Sequence, residues 1–119
     1  MPDVRTLAQA AGVRIELADL GDWGDATLVS EYDPAGPAIR INERAIDRYR
    51  TVCGALSSCD IRGFIDLAVA HELYHHREAT GEIPRLPDRA AREAAADAFA
   101  CAQVGPDAQL DAFVRGVRI

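Results

Sequence analysis

The chain has 119 residues, 49% of them hydrophobic, which is enough for one core and one domain spanning 1–119. Its net charge of −6 does not suit electrostatic capture of nucleic acid, and it leaves open a basic protein partner or a cation. No apolar run approaches the ~20 residues of a membrane-spanning helix, and Met1-Pro2-Asp3-Val4-Arg5 lacks the basic and apolar regions of a signal peptide, so a cytoplasmic location is expected.

In chain order, Val4, Leu7, Ala8 and Ala11 predict a short helix over 4–11, closed by Gly12 at the C′ position. Val13-Arg14-Ile15-Glu16-Leu17 alternates apolar and polar and reads as a half-buried strand. Asp19 to Asp25, rich in aspartate and glycine, reads as a loop, with Trp23 as a lid over the core. Ala26 to Tyr32 is a second strand, Asp33-Pro34-Ala35-Gly36-Pro37 a tight turn, and Ala38-Ile39-Arg40-Ile41-Asn42 a third strand forming a hairpin with the second. Asn42 can cap a helix over 43–50 that buries Ala45, Ile46 and Tyr49. After a break from Gly54 to Asp60, where Ser58 or Asp60 can cap, a long helix runs from about Ile61 to Ala79. Gly81 to Pro87 is a loop, Asp88 caps an alanine-rich helix over about 89–103, Gly105-Pro106 ends it, and a short helix through Leu110, Phe113 and Val114 follows.

His71-Glu72-Leu73-Tyr74-His75 reads H-E-x-x-H. Four residues is just over one helical turn, so the two imidazoles project the same way and supply half of a tetrahedral zinc site. They continue the buried face set by Phe64, Leu67 and Ala68, where a dry wall limits competition from water. Glu72 is turned ~100° around the axis and is placed to act on a water activated by the ion. A catalytic zinc wants a third protein ligand. Glu93 and Asp97, four apart on the next helix, supply one carboxylate for the ion (Glu93) and one to accept the free ring N–H of a ligand histidine (Asp97). The reverse assignment of those two stays open. Glu72 would take a proton from the attacking water and return it to the leaving amine. Tyr32, Tyr49, Tyr74 and His76 all carry groups able to stabilise the oxyanion. An edge of the 26–42 hairpin could pair with an extended peptide, or be plain scaffold. Protonation of His71 and His75 is expected to expel the ion as pH falls through ~6.

Cys53, Cys59 and Cys101 have no C-x-x-C spacing and read as small apolar side chains, with a Cys53–Cys59 link or a cysteine nucleophile unmarked by anything local. His76 is expected in a solvent-facing or supporting role, and Tyr74 in core packing. A di-iron carboxylate bundle would need a second E-x-x-H, for which no histidine remains.

His71 to His76 with the 93–106 segment resembles the ImmA/IrrE family of zinc peptidases, in which the H-E-x-x-H helix is followed by E-x-x-A-N-x-F-A-x-x-L-L-M-P. Here Glu93, Ala96, Phe99, Ala100 and Pro106 match in register, and Ile39-Arg40-Ile41-Asn42 is similar to that family's strand ending in Asn before a helix. Asp97 stands in place of the family's Asn, Gln103 of a Leu and Gly105 of a Met. The Glu93/Asp97 spacing also resembles the E-x-x-x-D pair of thermolysin-like gluzincins. The resemblance implies His71, His75 and Glu93 as ligands of Zn2+, Glu72 as acid/base, and a protein substrate such as a transcriptional repressor. The strands, turns and helices together predict a compact α+β, zincin-like fold: a small three-stranded antiparallel sheet packed on the H-E-x-x-H helix and a second Glu-bearing helix. The expected function is a zinc-dependent peptidase with no direct nucleic-acid or membrane partner. The alternative is a non-catalytic binding module with a structural or vestigial metal site.

Overall fold

The computed structural model describes residues 3–21, 28–53 and 61–104. Trp23, the beginning of the expected second strand, Ser58, Cys59, Asp60, Gly105-Pro106 and the expected last helix lie outside them, as does the side chain of Cys53. The fold is α+β, in the order α1 (Val4–Ala10), β1 (Arg14–Ala18), β2 (Ser30–Asp33), β3 (Ala38–Asn42), α2 (Glu43–Cys53), α3 (Ile61–Thr80) and α4 (Arg89–Val104). No described helix is long and apolar enough to cross a membrane.

Local chemistry sets the helix ends. Asp3 caps α1 by accepting from Thr6 N–H, and Gly12 (φ 78°) follows it in the left-handed conformation that a side chain would strain. Gly81 (φ 81°) does the same after α3. There the Glu82 N–H reaches Arg77 O and the Gly81 N–H reaches Glu78 O, the paired bonds of a Schellman stop. That stop turns the chain so that α4 runs back along α3. Asp88 then caps α4 through the N–H groups of Ala90 and Ala91.

The sheet is mixed, not antiparallel. Its order is β1-β3-β2, with β2 antiparallel to β3 as a hairpin and β1 parallel to β3, Ile15 opposite Ile39. The expected antiparallel arrangement fails because β3 is the central strand. Ala38, Ile39 and Ile41 are fully buried, whereas on β1 Ile15 is half-buried and Leu17 is 55% exposed. A strand buried along nearly its whole length takes the middle, and β1 and the hairpin partner flank it. The solvent face carries an ionic ladder in which Arg40 meets Glu31, Asp33 and Glu16. On β2 the alternation turns Ser30 and Tyr32 toward α3 and Glu31 and Asp33 toward Arg40.

Helix α3 is the hub, packed against α1, α2, α4, β2 and β3. It buries residues around most of its circumference, Phe64, Leu67, Ala68, Val69, Ala70 and Leu73 among them, as an interior helix does. Phe64 stacks on Tyr49 of α2 at 4.9 Å between centroids. On its other side Ala96 and Ala100 of α4 are buried, so small side chains line that contact. Cys101, also on α4, is half-buried.

Candidate metal-binding site

The helical spacing of α3 brings His71 and His75 together as the sequence requires. Their Nε2 atoms lie 3.2 Å apart, with His71 3% exposed. From α4, Glu93 closes the triangle: Oε2 is 3.0 Å from His71 Nε2 and Oε1 is 3.2 Å from His75 Nε2. Two donors at ~2.05 Å from a tetrahedral zinc are separated by ~3.3 Å, so all three separations fit one small divalent ion.

The far side of each ring fixes what faces this point. Asp97 Oδ1 lies 2.9 Å from His71 Nδ1, and Glu78 Oε1 lies 2.6 Å from His75 Nδ1. A carboxylate can only accept, so each Nδ1 donates its N–H and each neutral imidazole turns an Nε2 lone pair inward. Two lone pairs and a carboxylate directed at one another repel unless a cation lies among them. A proton can serve in part. Burial works against charge on His75, but hydrogen bonds to Glu93 and Glu78 and the fields of Glu72 and Glu93 outweigh it, raising its pKa to about 9. Glu93, hydrogen-bonded first by His71 and then by His75, is held below the usual carboxylate range. The same set of acceptors is what a metal ion would need.

Candidate ligand atoms of His71, Glu72 and His75 also lie within 4.8 Å of one another. The Glu93 oxygens come closer to the two Nε2 atoms than that, and Glu72 is engaged elsewhere. Ser30 of β2 donates its hydroxyl to Glu72 Oε2 at 2.8 Å, and both residues are 6% exposed. Glu72 is thus beside the imidazole pair but held from the sheet.

Outside this group the four candidate oxyanion donors separate. Tyr49 is in the core against Phe64, and Tyr74 packs on Phe99. His76 is buried, not solvent-facing, with Nδ1 2.7 Å from Tyr32 Oη. Tyr32 alone of the four lines the cleft of about 310 Å³ that opens onto Glu72, His75 and Glu93. Burial, and then the charge of Asp33, raises the Tyr32 pKa, so the phenol keeps its proton at neutral pH.

Sequence reasoning located His71, Glu72, His75, Glu93 and Asp97, and the structure brings all five together. It missed Ser30 and Glu78. Glu78 carried a signal, since it lies three residues from His75 on the same helix and so beside it. Ser30 carried none, being 42 residues from Glu72 and on another element. Compared with protein-family models, curated proteins and solved structures, the chain matches none.

Proposed function

We propose that the chain is a zinc-dependent peptidase of the ImmA/IrrE type, acting on a regulatory protein. The observation that carries this reading is the convergence of His71 Nε2, His75 Nε2 and the Glu93 carboxylate on one point beside Glu72. Two imidazoles and one carboxylate favour zinc and leave a fourth position for water or substrate. His75 and Glu93 line an open cleft, as a catalytic centre requires and a closed structural site does not.

Bound zinc would supply Lewis acidity, polarising a carbonyl and lowering the pKa of a water from 15.7 toward ~7. The chain supplies the rest. Glu72 accepts the proton of the attacking water and passes it to the leaving amine. Ser30 keeps one Glu72 oxygen fixed, leaving the other for that transfer. Tyr32 donates its hydroxyl to the oxyanion that develops on the substrate carbonyl. Asp97 and Glu78 hold the ligand rings in the tautomer that presents Nε2. The outer edge of β2, which carries Ser30 and Tyr32 and is the edge of the sheet among the described residues, aligns an extended peptide by backbone pairing.

The test is metal analysis of the purified protein with peptide cleavage read by mass spectrometry, on wild type, Glu72→Gln and Glu93→Ala. One zinc per chain is expected in wild type and Glu72→Gln, with cleavage in wild type only, and weakened zinc in Glu93→Ala. Zinc bound as tightly by Glu93→Ala would remove the third ligand. Zinc bound by a wild type that cleaves nothing would make the chain a metal-containing binding module.

A further inference from the structure

Every basic residue other than histidine in this chain is an arginine, and the net charge is −6. Carboxylates are therefore in excess, and arginines across the fold are drawn to them: Arg5 to Asp66, Arg40 to Glu31 and Asp33, Arg44 to Asp19, Arg77 to Glu82. Arg85, Arg89 and Arg92 depart from this pattern. Among the described residues none of the three has a carboxylate partner, and all three line the cleft that opens onto Glu72, His75 and Glu93.

The carboxylates in the same cleft are already engaged. Glu72 accepts from Ser30, Glu78 from His75, and Glu93 faces both ligand histidines. They leave the guanidinium groups without a fixed counter-charge. Arg89 and Arg92 also sit in the first turn of α4, where the backbone dipole is positive and a cation is unfavourably placed. Stability of the helix does not account for them. A cleft that gathers unpaired guanidinium groups at the positive end of a helix suits an anion, and the flat fork of arginine matches a carboxylate in particular.

We infer that Arg85, Arg89 and Arg92 form an acid-recognising subsite, so that the chain takes an extended peptide carrying Asp or Glu side chains within a few residues of the bond held at Glu72. This rests on the peptidase reading for the bond and not for the recognition. The peptide lies between Tyr32 on β2, with Pro34 in the turn after it, and the start of α4, over the α3 surface at His75 and Ala79. Its acidic side chains reach the arginines.

Two readouts test this separately from catalysis. The first is binding of a labelled alanine-based decapeptide with central glutamates to zinc-loaded Glu72→Gln protein, beside the same peptide with glutamines. The acidic peptide is expected to bind at least ~10-fold more tightly, with the margin shrinking as salt is raised. The margin should also shrink in Arg89→Gln combined with Arg92→Gln, and return only in part with lysines there, which keep the charge and lose the fork. The second readout is the set of sites that wild type cuts in a random peptide library, where Asp and Glu should be enriched near the cut. Acid preference in binding with no cleavage by wild type would sink the peptidase reading and leave the subsite standing. Cleavage with no acid bias, or equal binding of the two peptides, would overturn the subsite and spare the peptidase. A DNA duplex that displaced the acidic peptide would overturn it in favour of nucleic acid. The comparison of two peptides on one protein needs no arginine variant to fold.

Discussion

Ser30, on the edge strand, donates a hydrogen bond to Glu72 on the central helix across 2.8 Å, with both side chains all but shut off from solvent. The sheet therefore sets where the candidate general base points. Removing the hydroxyl leaves a buried carboxylate oxygen without its donor. In Ser30→Ala we expect the peptidase kcat to fall by ~10–100-fold, with zinc content unchanged, and the fold to lose ~1–3 kcal/mol. Single-turnover kinetics with metal analysis and urea unfolding check this. An unaltered kcat would mean that Ser30 plays no part in aiming Glu72.

Asp97 holds the outer nitrogen of His71, and Glu78 that of His75. Replacing either by alanine frees the ring to rotate and to change tautomer. Zinc affinity should fall by ~10–100-fold in each variant, measured by competition with a chromogenic chelator. Asp97→Asn keeps an oxygen acceptor for the His71 N–H and should stay close to wild type. Equal losses in Asp97→Asn and Asp97→Ala would show that charge, and not ring orientation, is what Asp97 contributes.

The pH dependence is expected to differ from that of an ordinary imidazole site, which would shed its ion only as pH falls through ~6. Between the chain's own groups His75 titrates at about 9, raised from 6.5. A raised folded-state pKa stabilises the ion-free protein fully below about 6.5 and loses that contribution as pH rises through about 9. Zinc must displace this proton, so its affinity should climb with pH until about 9 and then level. Calorimetric titration at pH 7 in buffers of different ionisation enthalpy should find roughly one proton released per ion. No release would place the His75 pKa near or below its ordinary value.

Asn42 holds the junction between sheet and helix. Its side-chain amide donates to Gly21 O and Leu28 O, and its oxygen accepts from the N–H groups of Leu20 and Arg44. It is fully buried. Asn42→Ala should cost ~2–4 kcal/mol, since several backbone groups lose their partners together. Asn42→Asp should also destabilise, because the two donated bonds vanish and a charge is buried. Denaturant unfolding of both variants is the check, and a change below ~0.5 kcal/mol in either would contradict this account.

The helices were legible because their ends and faces are local properties. Asp3, Asn42 and Asp88 cap, Gly12 and Gly81 stop, and the spacing of apolar residues gives the buried side. The site was legible for the same reason. His71 and His75 share one helical face, and Glu93 and Asp97 share another. Strand order was not legible. Alternation tells which face Ile15 or Ile39 occupies, not which strand lies beside it, so β1 was expected in an antiparallel sheet and is parallel to β3. In the fold Ala38-Ile39-Arg40-Ile41-Asn42 is buried almost throughout, as a central strand is, but its alternation of Ile with Arg and Asn reads like a half-buried one. The Ser30–Glu72 bond and the arginine-lined cleft depend on elements far apart in sequence, and periodicity is silent on both.

The Schellman stop at Gly81 has a bearing on how the molecule assembles. It folds α3 and α4 into a helical hairpin, and that hairpin carries His71, Glu72, His75, Glu78, Glu93 and Asp97. Closing so short a loop costs little entropy, whereas the parallel β1–β3 ladder must wait for distant segments to meet. An ion added to refolding protein should thus find its cage before the strands register. Pulsed hydrogen exchange would see zinc protect α3 and α4 amides ahead of those in β1, and simultaneous protection would rule that order out.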